Sequence, residues 1–232
     1  GADGKALLLE KDAAPSPLVD LAEVPVTLGG RAAIFVSDAL AAAALGLALG
    51  ARPEAVGSGL RSFRTGLASN PGRMTILDGY PFAVVVDRAI APDSFVTAID
   101  TMRPFIEAAG RRILVTIASG DRSDRQYRDF GRVIAARCDR AIVYEEELYR
   151  RGRPVGELAE LIRRNIEEAG LAGGRAETAP GFEEAVSRAV AYACPGDVLH
   201  IIADRTDVAD LLDRACAAAN SPSVPAGDGN PS

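Results

Sequence analysis

The chain has 232 residues, of which 48% are hydrophobic and 25% charged, and it carries a formal net charge of −6. That is the balance of a globular chain long enough for one large domain, or for one domain plus part of another. The acidic balance excludes a protein whose main task is gripping nucleic acid or an anionic membrane, and no apolar run reaches the roughly 18–20 residues of a membrane helix.

Gly1 in place of a starting Met suggests a piece excised from a longer chain. Residues 1–23 read as a strand remnant at Ala6–Leu9 and a linker around Pro15 and Pro17. Val24–Leu28 reads as a second short strand, Gly29-Gly30 as a turn, and Ile34–Val36 as another brief strand. Ser37-Asp38 offers N-cap chemistry for a helix over Ala39–Leu49. That helix is almost wholly small and apolar, which predicts burial nearly all round, and Gly50 fits its C-terminal stop. A further helix opens at Pro53-Glu54 and runs to Phe63.

After a loop over Arg64–Gly72 the alternation becomes regular. Strands are expected at Met74–Leu77, Phe82–Val86, Ile113–Ile117, Ala141–Tyr144, Ala176–Thr178 and Val198–Ile202. Helices are expected at Asp93–Ala109, bent at Pro104, and at Asp124–Arg137, Gly156–Ala169, Phe182–Ala193 and Val208–Ala218. Short apolar strands alternating with helices predict an α/β fold: a three-layer, Rossmann-like, mostly parallel sheet. The first strand pair, joined by the tight Asp78-Gly79-Tyr80-Pro81 turn, predicts one antiparallel element. Residues 220–232, rich in Ser, Pro, Gly, Asp and Asn, are expected to be a disordered tail.

In an open α/β sheet, ligands sit in the crevice at the carboxyl ends of the strands. Asp87 falls at such an end, where it would meet a ribose hydroxyl or an ion, or else cap a helix. Arg73, after the Asn70-Pro71-Gly72 turn, offers a planar guanidinium that can stack on a base, or is simply a solvated arginine. The loop Ser119-Gly120-Asp121-Arg122 leads into a helix whose free N–H groups suit an anion, with Ser123 or Asp124 as its cap. Glu145–Glu147 followed by Arg150, Arg151 and Arg153 is a charge run at another strand end, either solvated or selecting a charged substrate. His200 reads as a packed, hydrogen-bonded core residue, and Asp204–Asp207 as a helix entrance. Cys138, Cys194 and Cys216, widely spaced, read as reduced thiols buried as small hydrophobes. The sequence contains neither GxxxxGK[ST] nor a GxGxxG after a strand, so it carries no phosphate-cradling loop of its own.

Taken in order, several segments resemble the C-terminal part of cyanophycin synthetase, within the wider Mur ligase superfamily. They are Gly29-Gly30-Arg31, the Ala-rich helix, Leu60-Arg61-Ser62-Phe63, Asn70-Pro71-Gly72-Arg73, Asp87 to Pro92, Gly120-Asp121-Arg122 and Arg151-Gly152-Arg153-Pro154-Val155-Gly156-Glu157. The likeness runs over residues 24–215. It implies an ATP-dependent amide-bond ligase that phosphorylates a carboxylate for attack by an incoming amine. ATP and Mg would serve the intact cytoplasmic enzyme, and an amino acid and a peptide-like polymer would be its substrates. Residues 1–67 would then be the end of a central ATPase domain, and 68–219 a C-terminal lid closing on the upstream part of that domain. The lid would bring Arg73 and Asp87 to the nucleotide. Gly120, Asp121 and Arg122, with Arg151 and Arg153, would face the reacting centre or substrate. A homo-oligomer is compatible with this reading; nucleic-acid and membrane partners are not expected. The family's DYAHNP motif stands here as Asp87-Arg88-Ala89-Ile90-Ala91-Pro92, and acyl-phosphate chemistry needs metal-bridged phosphates that this segment does not supply. Alone, it is not expected to catalyse ligation. The rival reading is a non-catalytic relative used for binding or assembly; a stand-alone flavodoxin-like or receiver domain is a third.

Overall fold

The computed structural model describes residues 4–10, 14–102 and 110–220. The bend expected at Pro104 and the tail expected beyond Asn220 lie outside the described residues. Strands β1 (Ala6–Leu9) and β2 (Ser16–Asp20) form an antiparallel hairpin, with a register shift where Leu8 faces Pro17. Pro17, read from the sequence as linker, therefore sits in a strand at a bulge, a position where a missing N–H is tolerated, and Pro15 just precedes that strand. Val24–Leu28 is not a strand: Leu21–Glu23 and Pro25–Thr27 are 3-10 turns, the second opened by the fixed φ of Pro25.

Helix α1 spans Ala33–Ala48, so Ile34–Val36 and Ser37-Asp38 lie inside the helix rather than before it. Ala32 at its start makes no side-chain cap, and the Ser37 hydroxyl turns back to the Ala33 carbonyl at 3.2 Å. Nor is α1 buried all round. Phe35, Ala39 and Ala43 are buried, whereas Leu40, Leu45 and Leu49 are 53%, 61% and 80% exposed. The β hairpin, the 3-10 turns and α2 (Pro53–Ser62) cover one side of it only.

The main sheet has six strands: β3 (Thr75–Leu77), β4 (Ala83–Asp87), β5 (Arg112–Thr116), β6 (Arg140–Val143), β7 (Ala176–Thr178) and β8 (Val198–Ile202). Their spatial order is β3-β4-β8-β5-β6-β7, with β3 antiparallel and the rest parallel. The fold class and the single antiparallel element are as the sequence predicts. Helices α3 (Pro92–Met102), α4 (Asp124–Arg137) and α6 (Glu157–Glu168) pack in sequence along one face, while α7 (Phe182–Tyr192) and α8 (Val208–Asn220) pair with each other. A four-residue helix, α5 (Glu147–Arg150), sits between β6 and α6. The strands are apolar on both sides; Val84, Leu114, Ile142, Leu199 and Ile201 are fully buried.

His200 lies mid-strand in β8 at 2% exposure, with its ring 5.5 Å from Phe95. It is packed as predicted, but its Nε2 has no hydrogen-bond partner, and burial drives its pKa down to about 3. It is therefore a neutral filler. The cysteines also divide differently from the sequence expectation. Cys138 is buried, with its thiol pushed up to about 12, whereas Cys216 is half-buried and Cys194 exposed. Cys194 lies at the sheet's opposite end, where Asp197 accepts from the Arg111 and Cys194 backbone N–H groups at 2.8 and 2.9 Å and pairs with the Arg111 guanidinium at 2.7 Å.

Candidate functional site

The carboxyl ends of β4, β5, β6 and β8 open on one edge of the sheet. Asp87 closes β4 opposite Ile202 of β8, and its carbonyl accepts the Ala203 N–H at 2.8 Å. Its side chain neither caps α3 nor lies free. Oδ2 accepts the Met74 N–H at 2.8 Å, while the Arg73 guanidinium and the N–H groups of Arg88 and Ala89 also act on the carboxylate. Burial raises the Asp87 pKa, and those four groups oppose the rise. The bond has a conformational purpose. Met74 sits at φ 43°, a left-handed value that a side-chain-bearing residue adopts only when held there.

Gly72, at φ 67°, seats the same turn. A Cβ here would stand 2.5 Å from the Ala203 carbonyl oxygen, so only glycine lets the turn lie on the end of β8. Arg73 is thereby lifted out of the turn, exposed, with its Nη1 donating to the Gly72 carbonyl at 3.0 Å. It stands where two cavities meet. One, about 520 Å³, runs between α1 and α2 and is walled mainly by apolar side chains, including Phe35, Ala39, Leu60 and Phe63. The other, about 200 Å³, is lined by Asp87, Arg88 and the start of α3. Phe35, Asp38 and Arg73 line both. The structure thus brings Arg73 and Asp87 together at one crevice.

The second group of predicted residues forms a separate cluster after β5. The Gly120 N–H donates to the Tyr149 carbonyl at 2.8 Å, and a Cβ on Gly120 would lie within 2.1 Å of the Arg150 carbonyl oxygen. Arg153 donates from Nε to the Gly120 carbonyl at 2.9 Å and pairs with Glu157 at 2.6 Å. Gly120 and Arg153 therefore fasten this loop to the turn at residues 149–153. Asp121 and Arg151 remain exposed, and the Ser119 hydroxyl holds the Asp121 carboxyl below the usual carboxylate range. Arg122 is half-buried, with its Nε lacking a hydrogen-bond partner. Ser123 is the cap of α4, in a reciprocal arrangement with Gln126.

Three side chains that sequence reasoning had not assigned these roles complete the edge. Glu145 accepts the N–H groups of Gly156 and Ala159 at 2.8 and 2.7 Å, so it serves the start of α6. Asp204 points not to α8 but to the strand ends, taking the Arg88 guanidinium at 3.2 Å and the Tyr149 hydroxyl at 3.1 Å. Nothing in the local sequence marks Tyr149 as its partner. Across the edge, a cavity of about 680 Å³ is lined by Glu145, Glu146, Phe182 and Arg205, among others. Its charges are engaged with one another: Arg205 reaches both oxygens of Asp207 at 2.7–2.8 Å and Glu146 at 3.4 Å. Among the described residues no three His, Cys, Asp or Glu side chains converge to hold a metal ion, and no helix is long and apolar enough to cross a membrane.

Comparison with known proteins agrees with this architecture. The profile of the family described as Mur ligase, glutamate ligase domain, matches residues 72–205. The cyanophycin synthetase of Nostoc sp. is 34% identical over 144 residues, which are 62% of this chain and 16% of that protein. The UDP-N-acetylmuramoyl-L-alanyl-D-glutamate–2,6-diaminopimelate ligase of Corynebacterium efficiens is 31% identical over 202 residues, 83% of this chain and 36% of the relative. Among solved structures, a murein peptide ligase from Psychrobacter arcticus superposes with a TM-score of 0.56 at 17% identity, over 79% of this chain and 36% of that one. E. coli FolC, solved in complex with ADP, gives 0.54 at 19% identity, over 88% and 42%. The chain belongs to the Mur ligase, glutamate ligase domain family, and within it is related to cyanophycin synthetases and to UDP-N-acetylmuramoyl-L-alanyl-D-glutamate–2,6-diaminopimelate ligases.

Proposed function

We propose that this chain is the nucleotide-closing part of an ATP-dependent amide-bond ligase, with residues 68–219 as the lid and 1–67 as the end of a central ATPase domain. The observation that carries the reading is the position of Arg73. A guanidinium held out by a pinned left-handed turn, at the mouth of a mainly apolar cavity of about 520 Å³, suits the face of a purine. Asp87, beside it, would take a ribose hydroxyl on the lone pairs left by its backbone partners. FolC, a relative in fold, was solved with ADP, which supports a nucleotide as the ligand.

ATP with a divalent ion would supply the acyl phosphate and its charge neutralisation. This chain's own residues would bind and orient: Arg73 and Asp87 at the nucleoside, Asp121, Arg122 and Arg151 toward the amino acid and the polymer end. The matched segment is 16% of the cyanophycin synthetase and 36% of the diaminopimelate ligase, which supports a larger polypeptide as the working enzyme. The exposed leucines of α1 support the same view, since an uncovered apolar helix face calls for a partner surface. They equally favour the second reading, a non-catalytic assembly module. Calorimetric titration with ADP of the chain joined to the upstream phosphate-binding part that the ligase reading calls for separates the two. The ligase reading predicts saturable binding that weakens about tenfold or more in Arg73→Ala, the worth of one stacked or charge-assisted contact. Wild-type affinity in that variant, or no binding at millimolar ADP, would leave assembly as the better account.

A further inference from the structure

Arg88 follows directly on the last residue of β4, and the structure gives that arginine a definite partner. Its Nε meets Asp204 Oδ2 at 3.2 Å, across the ends of the adjacent parallel strands β4 and β8. The same oxygen accepts the Tyr149 hydroxyl at 3.1 Å, and Tyr149 is 6% exposed. The Tyr149 carbonyl in turn accepts the Gly120 N–H at 2.8 Å. On the other side, Gly72 lies against this pair so closely that a Cβ on it would be 3.2 Å from both the Arg88 Cβ and the Asp204 Cα.

We infer that Asp204 is a positioning residue that joins the Arg73 turn to the Gly120 loop through Arg88 and Tyr149. Three connections meet at its carboxylate, residues 87–92 through Arg88, 145–153 through Tyr149 and 203–207 through Asp204 itself, and the turn at 70–74 packs against them at Gly72. Without it the turn and the loop share no direct hydrogen bond among the described residues. With it, a ligand that shifts the Arg73 turn shifts the frame holding Gly120, so the two candidate contact regions keep a fixed separation. The inference goes beyond the nucleotide reading, and its test uses no ligand.

Amide hydrogen exchange, residue by residue, is measured on the wild type, Arg88→Ala, Arg88→Lys and Tyr149→Phe, with global stability followed by urea unfolding. Arg88→Ala is expected to speed exchange at the Gly120 amide about tenfold, although Arg88 does not touch Gly120. The buried amides of Leu114 and Val115 in β5 should stay within about twofold of wild type. Tyr149→Phe should speed exchange at Met74, the reciprocal effect, and Arg88→Lys should restore most of the protection at Gly120. Unchanged exchange at Gly120 in Arg88→Ala would overturn the inference. So would a uniform acceleration that includes Leu114 and Val115, which would mean that the pair only adds to overall stability.

Discussion

At the scale of single residues, buried polar groups show two opposite designs. Asp197 is 4% exposed and fully occupied, holding two backbone N–H groups and a guanidinium. Replacing it with alanine leaves those donors without their acceptor, and a loss of about 1–3 kcal/mol in urea unfolding is expected. His200 is the reverse case, buried without a partner at Nε2. Its folded pKa, about 3, lies below the ordinary value of 6.5, so the unfolded chain takes up a proton that the native chain refuses. Its contribution to stability is thus present in full above pH 6.5 and falls as pH drops toward 3. His200→Leu removes that penalty. The variant should gain on the wild type between pH 6.5 and 4.5 by up to ~1.4 kcal/mol per pH unit, and parallel stability curves would refute the neutral-filler account. Apolar neighbours in the sequence predict the burial of His200, but the missing partner depends on what α3 presents to it. Strand periodicity cannot carry that information.

At the scale of elements, local signals are readable where they are satisfied locally. Ser123 and Gln126 cap each other's segment within one turn, and the cap of α4 is visible in the sequence for that reason. Ser123→Ala should cost about 1 kcal/mol in chemical unfolding. Helix α1 is the opposite case. Its alanines and leucines describe a helix buried on every side, but the elements supplied by this chain cover only Phe35, Ala39 and Ala43. Composition alone does not show which side of an apolar helix its neighbours cover, and here one side stays open. Changing Leu45 and Leu49 to lysine should therefore alter the chain's own stability by no more than about 0.5 kcal/mol while reducing self-association in light scattering. A clear drop in the unfolding midpoint would mean that these leucines are packed after all. The misread strand at Val24–Leu28 has a simpler cause: β-branched residues suggest extension, and Pro25 redirects it.

At the scale of the whole molecule, the α/β alternation made the six-stranded sheet and its one antiparallel edge legible, because each strand is a continuous apolar run bounded by turn residues. The strand order was not legible. β8 inserts between β4 and β5, and this insertion sets Asp204 beside Arg88, two residues 116 positions apart. The candidate site divides along the same line. Arg73 and Asp87 flank one hairpin and could be paired from the sequence, whereas the Tyr149–Asp204 connection exists only once the sheet is assembled. The proposed seat of a nucleotide is the crevice at Arg73. Photolabelling with an azido derivative of ADP, followed by peptide mapping, tests it most directly. A nucleotide seated there gives adducts within residues 34–42 or 70–74, diminished by excess ADP and by Arg73→Ala. Adducts confined to the opposite cavity, around Phe182 and Arg205, or labelling that excess ADP does not reduce, would contradict it.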